Sequence, residues 1–274
     1  MKYVTLFLLF VVIATNVFAQ SEKEKQEVLA EANKLYRSEM ASWYGTDIFM
    51  ADFKAVHSRT QGYFSYVDND KSVCVFFSKE QPARILASFT FDSTYNVKTA
   101  VVDGVERDLN SLESDLHEIR MTALEEYKSD TALFKRYNRM NPNFIPLSDK
   151  EGKRVYVLTG PQDNGVVVFG NDYLLTFNSK NKLKEKKRLH SNIITVTSKG
   201  SDGKKLLSTV HSHLPETGSM ITAADICTLR LYCPFTEWKQ HYVISEKFVS
   251  IWDCSKELVI MPRDAWDKLN KAKN

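Results

Sequence analysis

Apolar residues recur at helical spacing at Val28, Leu29, Ala32, Leu35, Tyr36 and Met40, which predicts a helix over residues 21–42. Ser21 and Glu24 are spaced to open it as a capping box. The period then shortens. Gly62–Val67, Val73–Phe77 and Arg84–Phe91 are β-branched and aromatic runs separated by DNDK and SKEQP, the pattern of an antiparallel meander. Helical spacing returns from Asn110 or Ser111 through Leu112, Leu116, Ile119, Ala123 and Tyr127. Its acids, Glu113, Asp115, Glu118, Glu125 and Glu126, read as a solvated face. The stretch Asn141–Asp149, with two prolines among Asn and Asp, predicts a break and the domain boundary.

Beyond that break the pattern is strand-rich: Arg154–Thr159, Val166–Phe169, Tyr173–Phe177, Ile193–Thr197 and Leu206–His213. Asp163-Asn-Gly165 is a hairpin signal, and Lys182–Arg188 (KLKEKKR) reads as a solvated turn or strand end. A helix over Thr222–Tyr232 precedes strands at Tyr242–Ser245, Phe248–Trp252 and Leu258–Met261. A last helix after Pro262 turns Trp266 and Leu269 inward, and Trp238, Tyr242, Trp252 and Trp266 read as packing of the final hairpin rather than a sugar platform. The fold class expected is α+β and mostly antiparallel, with residues 20–148 as an N-terminal α+β domain and 149–274 as a second one.

The first residues change where such a chain is expected to work. Lys2, the apolar Val4–Thr15 and Val17-Phe18-Ala19 have the order of a signal peptide over residues 1–19. Its apolar run falls short of the ~20 residues that span a bilayer, so a periplasmic or secreted protein is expected, with no stable membrane insertion after cleavage. With 43% hydrophobic and 26% charged residues the chain is neither disordered nor multi-spanning. Its 37 Lys and Arg against 34 Asp and Glu leave no basic excess for nucleic acid. Export permits disulfides. Cys74, Cys227, Cys233 and Cys254 allow three pairings; three of them lie in the last quarter, and buried free thiols fit equally well.

One patch carries metal chemistry. On a strand, His211 and His213 share a face with Thr209 and Leu207. A loop with Pro215 and Gly218 leads to a helix start bearing Thr222 and Asp225, which can return a carboxylate to the strand end. Two His, one carboxylate and an open position make a catalytic zinc pattern. Thr222 and Asp225 also suit a capping box, a role compatible with ligation. His190 and His241, at strand borders, read as satisfied polar residues; His57 and His117 are given no chemistry.

The patch resembles the JAMM (MPN-plus) metalloproteases, which carry H-x-H, seven residues, Ser, two residues and Asp. Here His211-Ser-His213 is followed by eight residues, Thr222, two residues and Asp225, so one loop residue is added and Thr replaces Ser. The order of strand, loop, helix and hairpin over roughly residues 150–261 also agrees with that family. The resemblance implies a JAMM-like α/β sandwich with zinc on His211, His213 and Asp225, and Thr222 at the scissile carbonyl's oxyanion. The family's general base is a Glu in E-x-x-G-x-x-x-G opening an earlier strand. Counting back from Gly160 reaches Lys153, with Glu151 two residues further out and Glu216 in the loop as a substitute. Two outcomes are expected: an exported zinc peptidase or isopeptidase acting on an unidentified protein or peptide, or an inert JAMM-like binding or structural module. A Glu close to the metal would mark the first, and an empty or basic strand end the second.

Overall fold

The computed structural model describes residues 2–198, 203–255 and 257–271, with side chains from residue 22 onward. Helix α1 (Lys2–Asp52) passes through residue 21 without a cap, because Gln20–Gln26 is made of residues a helix tolerates and holds no breaker. The capping box expected at Ser21 is therefore not an N-terminus. The helix also outlasts residue 42, since Tyr44, Ile48 and Phe49 keep its apolar face in register with a sheet. Phe49 stacks on Phe76 at 3.8 Å, and Gly45 lets the backbone close on Cys74, where a Cβ would come within 2.9 Å of the thiol sulfur.

That sheet is the meander β1 (Thr60–Asp68), β2 (Lys71–Ser78), β3 (Arg84–Phe91), with short β4 (Val101–Asp103) and β5 (Arg107–Asp108) both pairing with β3. Asn69 and Asp70, at φ 44° and 65°, make the two-residue turn that suits tightly twisted hairpins. Helix α2 (Ser111–Ser129) opens at Asn110 with a capping box closed by Glu113. Asp115, Glu118, Glu125 and Glu126 stay partly or fully exposed, but Glu113 is fully buried, held by both Nη atoms of Arg107 at 2.6 and 2.7 Å. It does not belong to the solvated face.

The stretch read as a break is a strand. β6 (Met140–Asp149) pairs antiparallel with β7 (Gly152–Pro161) from Met140 opposite Pro161 to Asp149 opposite Gly152. The expected boundary at 148/149 falls between the last two residues of β6, just before the turn of this hairpin. Pro142 and Pro146 are tolerated because β6 is the edge of the sheet β10-β9-β7-β6, and residues four apart turn their missing donors the same way. β8 (Val166–Gly170) leaves that sheet, so Asp163-Asn-Gly165 joins β7 to a different layer instead of closing a hairpin. After β9 (Tyr173–Phe177) the lysine-rich segment forms the other edge, β10 (Leu183–Arg188), where Lys186 reaches Glu126 of α2 and Asp130 just past its end, both at 2.8 Å. β11 (Ile193–Thr197) pairs with β8 as a two-stranded ribbon.

The last sheet is β12 (Ser208–Ser212), β13 (Gln240–Ile244), β14 (Phe248–Asp253) and β15 (Glu257–Pro262). β12 and β13 are parallel, and helix α3 (Ala223–Tyr232) is the crossover between them. Trp238 and Trp252 are core residues beneath α3. Cys233 and Cys254 form a disulfide, and Cys74 and Cys227 are buried free thiols. The final helix α4 (Arg263–Lys271) sets Trp266 5.6 Å from Tyr242 but leaves Leu269 exposed. The architecture is α+β, as its pattern indicates. Helix α1 ties it together: Ala32 and Leu35 pack with α3, whereas Ala41 and Phe49 pack on the meander. Among the described residues, no helix is long and apolar enough to cross a membrane.

Candidate metal centre

Strand alternation places Thr209, His211 and His213 on the buried face of β12 and its extension, with Val210 and Ser212 facing out. Thr222 caps α3: its amide and hydroxyl donate to Asp225 Oδ2 at 2.9 and 2.7 Å, and the Asp225 amide donates back to its Oγ1 at 3.1 Å. That reciprocal cap turns the carboxylate toward the strand. His213 Nε2 lies 3.2 Å from Asp225 Oδ2, and His211 Nε2 lies 3.7 Å from Oδ1 and 3.1 Å from His213 Nε2. The three residues picked from spacing are brought together.

A fourth group arrives from elsewhere. His190, in the loop between β10 and β11, sets Nε2 3.6 Å from Asp225 Oδ2 and 3.4 Å from Thr222 Oγ1. Its Nδ1 donates to Asp172 Oδ2 at 3.0 Å, and Asp172 is fixed in turn by the Thr159 amide. His190, His213 and Asp225 present donor atoms within 4.8 Å of one another, all buried, and such a group can hold a metal ion. No local spacing advertises this. Asp172 and His190 close around the site because Gly170 and Asn171, at φ 84° and 56°, turn the chain sharply after β8. The short polar step Gly-Asn-Asp between two apolar strands is the one trace of it in the sequence.

The imidazoles are oriented from behind. His213 Nδ1 donates to the Met220 carbonyl at 3.0 Å and His190 Nδ1 to Asp172, so in each ring Nε2 is the nitrogen that faces Asp225. His211 Nδ1 meets His241 Nε2 at 2.9 Å, and His241 Nδ1 meets Thr209 Oγ1 at 2.6 Å. His241 is thus a satisfied polar residue, as its strand-border position suggested. Asp225 Oδ1 is buried and has no hydrogen-bond donor among the described residues.

Charge follows from this packing. Burial acts against the ionised Asp225, yet His190 and His211 hold its carboxyl well below the usual range. Burial also acts against a charged His190, but Asp225 and Asp172 push it up to about 10. With both carboxylates ionised, one imidazolium leaves this buried cluster one positive charge short. A cavity of about 40 Å³ lined by Phe169, His190, His211, His213, Leu214 and Asp225 opens onto the donors.

The two residues given catalytic parts stand apart from those parts. The Thr222 hydroxyl proton is committed to Asp225 Oδ2, so it is not free to hold an oxyanion. Glu151 lies in the β6–β7 turn, paired with Lys34 and 3.3 Å from Arg154 Nη2. The β7 residue that touches the centre's surroundings is Thr159, eight positions away, roughly 26 Å along an extended strand at about 3.3 Å per residue. Glu216 is exposed and does not line the cavity. No family model matches the chain, and neither a curated protein nor a solved structure proves similar to it.

Proposed function

We propose that the protein is exported, that its His190, His211, His213 and Asp225 hold one zinc ion in a JAMM-like domain, and that this domain serves as a binding or structural module rather than as a peptidase. The observation that carries the reading is the convergence of three Nε2 atoms on a buried carboxylate whose Oδ1 has no hydrogen-bond donor among the described residues. Zinc bonds of 2.0–2.1 Å in a tetrahedron separate ligand atoms by about 3.3–3.4 Å; His213 Nε2 and His190 Nε2 lie 3.2 and 3.6 Å from Asp225 Oδ2, whereas His211 Nε2, 3.1 Å from His213 Nε2, faces the other oxygen, Oδ1, at 3.7 Å and joins the set by a small shift on binding. A divalent ion in place of the His190 proton also balances the two carboxylates. Zinc bound with one position open supplies a Lewis acid and lowers the pKa of water. Against hydrolysis stand the lining, which holds no Glu, and Asp172, whose oxygens serve His190 and Thr159. The Cys233–Cys254 disulfide and the leader-like start support export.

A zinc peptidase or isopeptidase is the second reading, favoured by the cavity, whose volume admits about one water beside the donors. The test is metal content of the purified protein beside a His211→Ala, His213→Ala double variant. About one zinc per chain, lost in the variant, is expected; no uptake after zinc reconstitution overturns the centre. X-ray absorption of the loaded protein is expected to show four protein donors. Three donors and a water, with cleavage of a peptide library, would establish the second reading.

A further inference from the structure

The imidazoles around Asp225 differ in what stands behind them. His190 and His213 are backed by acceptors that cannot donate, a carboxylate and a backbone carbonyl. His211 is backed by His241, and His241 by the Thr209 hydroxyl, and both of these can donate or accept. All the groups are buried, and His241 is fully so. Phe169 stacks on His241 with centroids 4.6 Å apart and lies 5.2 Å from the His211 ring, so it packs against both rings.

A row of groups that each donate and accept can be written in two directions. In the first, the Thr209 hydroxyl donates to His241 Nδ1, His241 Nε2–H to His211 Nδ1, and His211 Nε2–H to His213 Nε2. His213 Nδ1–H ends the row on Met220. Every ring is then satisfied with no cation between His211 and His213. In the second, His211 Nδ1–H donates to His241 Nε2 and His241 Nδ1–H to Thr209 Oγ1, which leaves the His211 Nε2 lone pair facing His213 and Asp225 Oδ1. Between the two, one proton leaves at His211 Nε2 and one returns at the Thr209 hydroxyl, so the row keeps its charge.

We infer that His241 and Thr209 are positioning residues that select which nitrogen His211 presents, and that metal binding reverses the hydrogen-bond direction through Thr209–His241–His211. This rests on the metal-centre reading above.

The experiment is nitrogen-15 NMR of histidine-labelled full chain, read through two-bond couplings that report each tautomer, before and after one equivalent of zinc. His241 is expected to pass from Nε2–H to Nδ1–H although it does not touch the ion, while His213 keeps Nδ1–H. Zinc uptake with an unchanged His241 tautomer overturns the inference and leaves the centre standing. Failure of the folded protein to take up zinc overturns both. Thr209→Val is expected to weaken zinc binding about 10–100-fold and Thr209→Ser to restore it to within about twofold. A Thr209→Val protein that binds as tightly as the wild type removes Thr209 from the role.

Discussion

Two polar clusters in this molecule handle carboxylates in opposite ways. Near the β6–β7 turn, Arg154 sends Nε and Nη2 to Glu31 at 2.6 and 2.7 Å and Nη1 and Nη2 to Asp149 at 2.9 and 3.0 Å. Lys34 adds bonds to Glu31 at 3.1 Å and Asp149 at 2.9 Å. Burial acts to raise the Glu31 carboxyl, but Arg154 and Lys34 hold it below its ordinary value. The counter-charge is part of the chain, and the result is a clasp between α1 and a hairpin. Around Asp225 and Asp172 the chain offers one imidazolium, His190, against two carboxylates, and among the described residues Asp225 Oδ1 has no hydrogen-bond donor. A buried charge without a covalent counterpart is costly unless something from outside completes it. The first cluster explains itself as structure, and the second does not.

Breaking the clasp is expected to give the largest effect. Arg154→Met leaves Glu31 and Asp149 facing each other with only Lys34 between them, a loss of about 3–5 kcal/mol by urea denaturation. Zinc affinity should not change. A variant that loses zinc as well as stability would mean that the two clusters are coupled through β7.

Glu39 sharpens the comparison from the middle. It sits on α1 with the Asn143 side-chain amide as its donor, and burial pushes its carboxyl up to about 7. Because that value lies above the 4.5 of the unfolded chain, its contribution to stability is complete below about pH 4.5 and is lost as pH rises through about 7. Glu39→Gln should therefore gain on the wild type between pH 5 and pH 8, by up to about 3 kcal/mol in paired denaturation curves. A gap that is flat with pH would show that Glu39 is ionised and solvated. The three carboxylates then form a series: Glu31 answered by arginine, Glu39 by a proton and, on the proposal above, Asp225 by an ion.

What the sequence disclosed depends on how far apart the partners lie. The fifteen residues from His211 to Asp225 are one strand, one loop and one helix turn, so their convergence follows from local periodicity. Asp172 and His190 reach the same place from different loops, and no spacing rule connects them to Thr222. The meander runs were legible because each alternates with turn residues that could serve no other purpose. The 141–149 strand was not, because two prolines signal a break unless the strand is an edge, and edges are a property of the finished sheet. Helix α1 was cut short for a related reason: its last turns are apolar toward a sheet that sequence pattern alone does not position.

The smallest expected effect tests the comparison at its weakest link. Glu151 belongs to the clasp, yet it is half-exposed, and Arg154 keeps Glu31 and Asp149 when it is removed. An ion pair of that kind is worth about 0–1 kcal/mol, so Glu151→Gln should barely move the denaturation midpoint. It should also leave zinc affinity within about twofold, since the strand that separates it from Thr159 and Asp172 is too long for contact. If competition with a chelator shows zinc affinity falling well beyond that, Glu151 reaches the metal after all, the end of β7 lies nearer the centre than this fold places it, and the peptidase reading regains its general base.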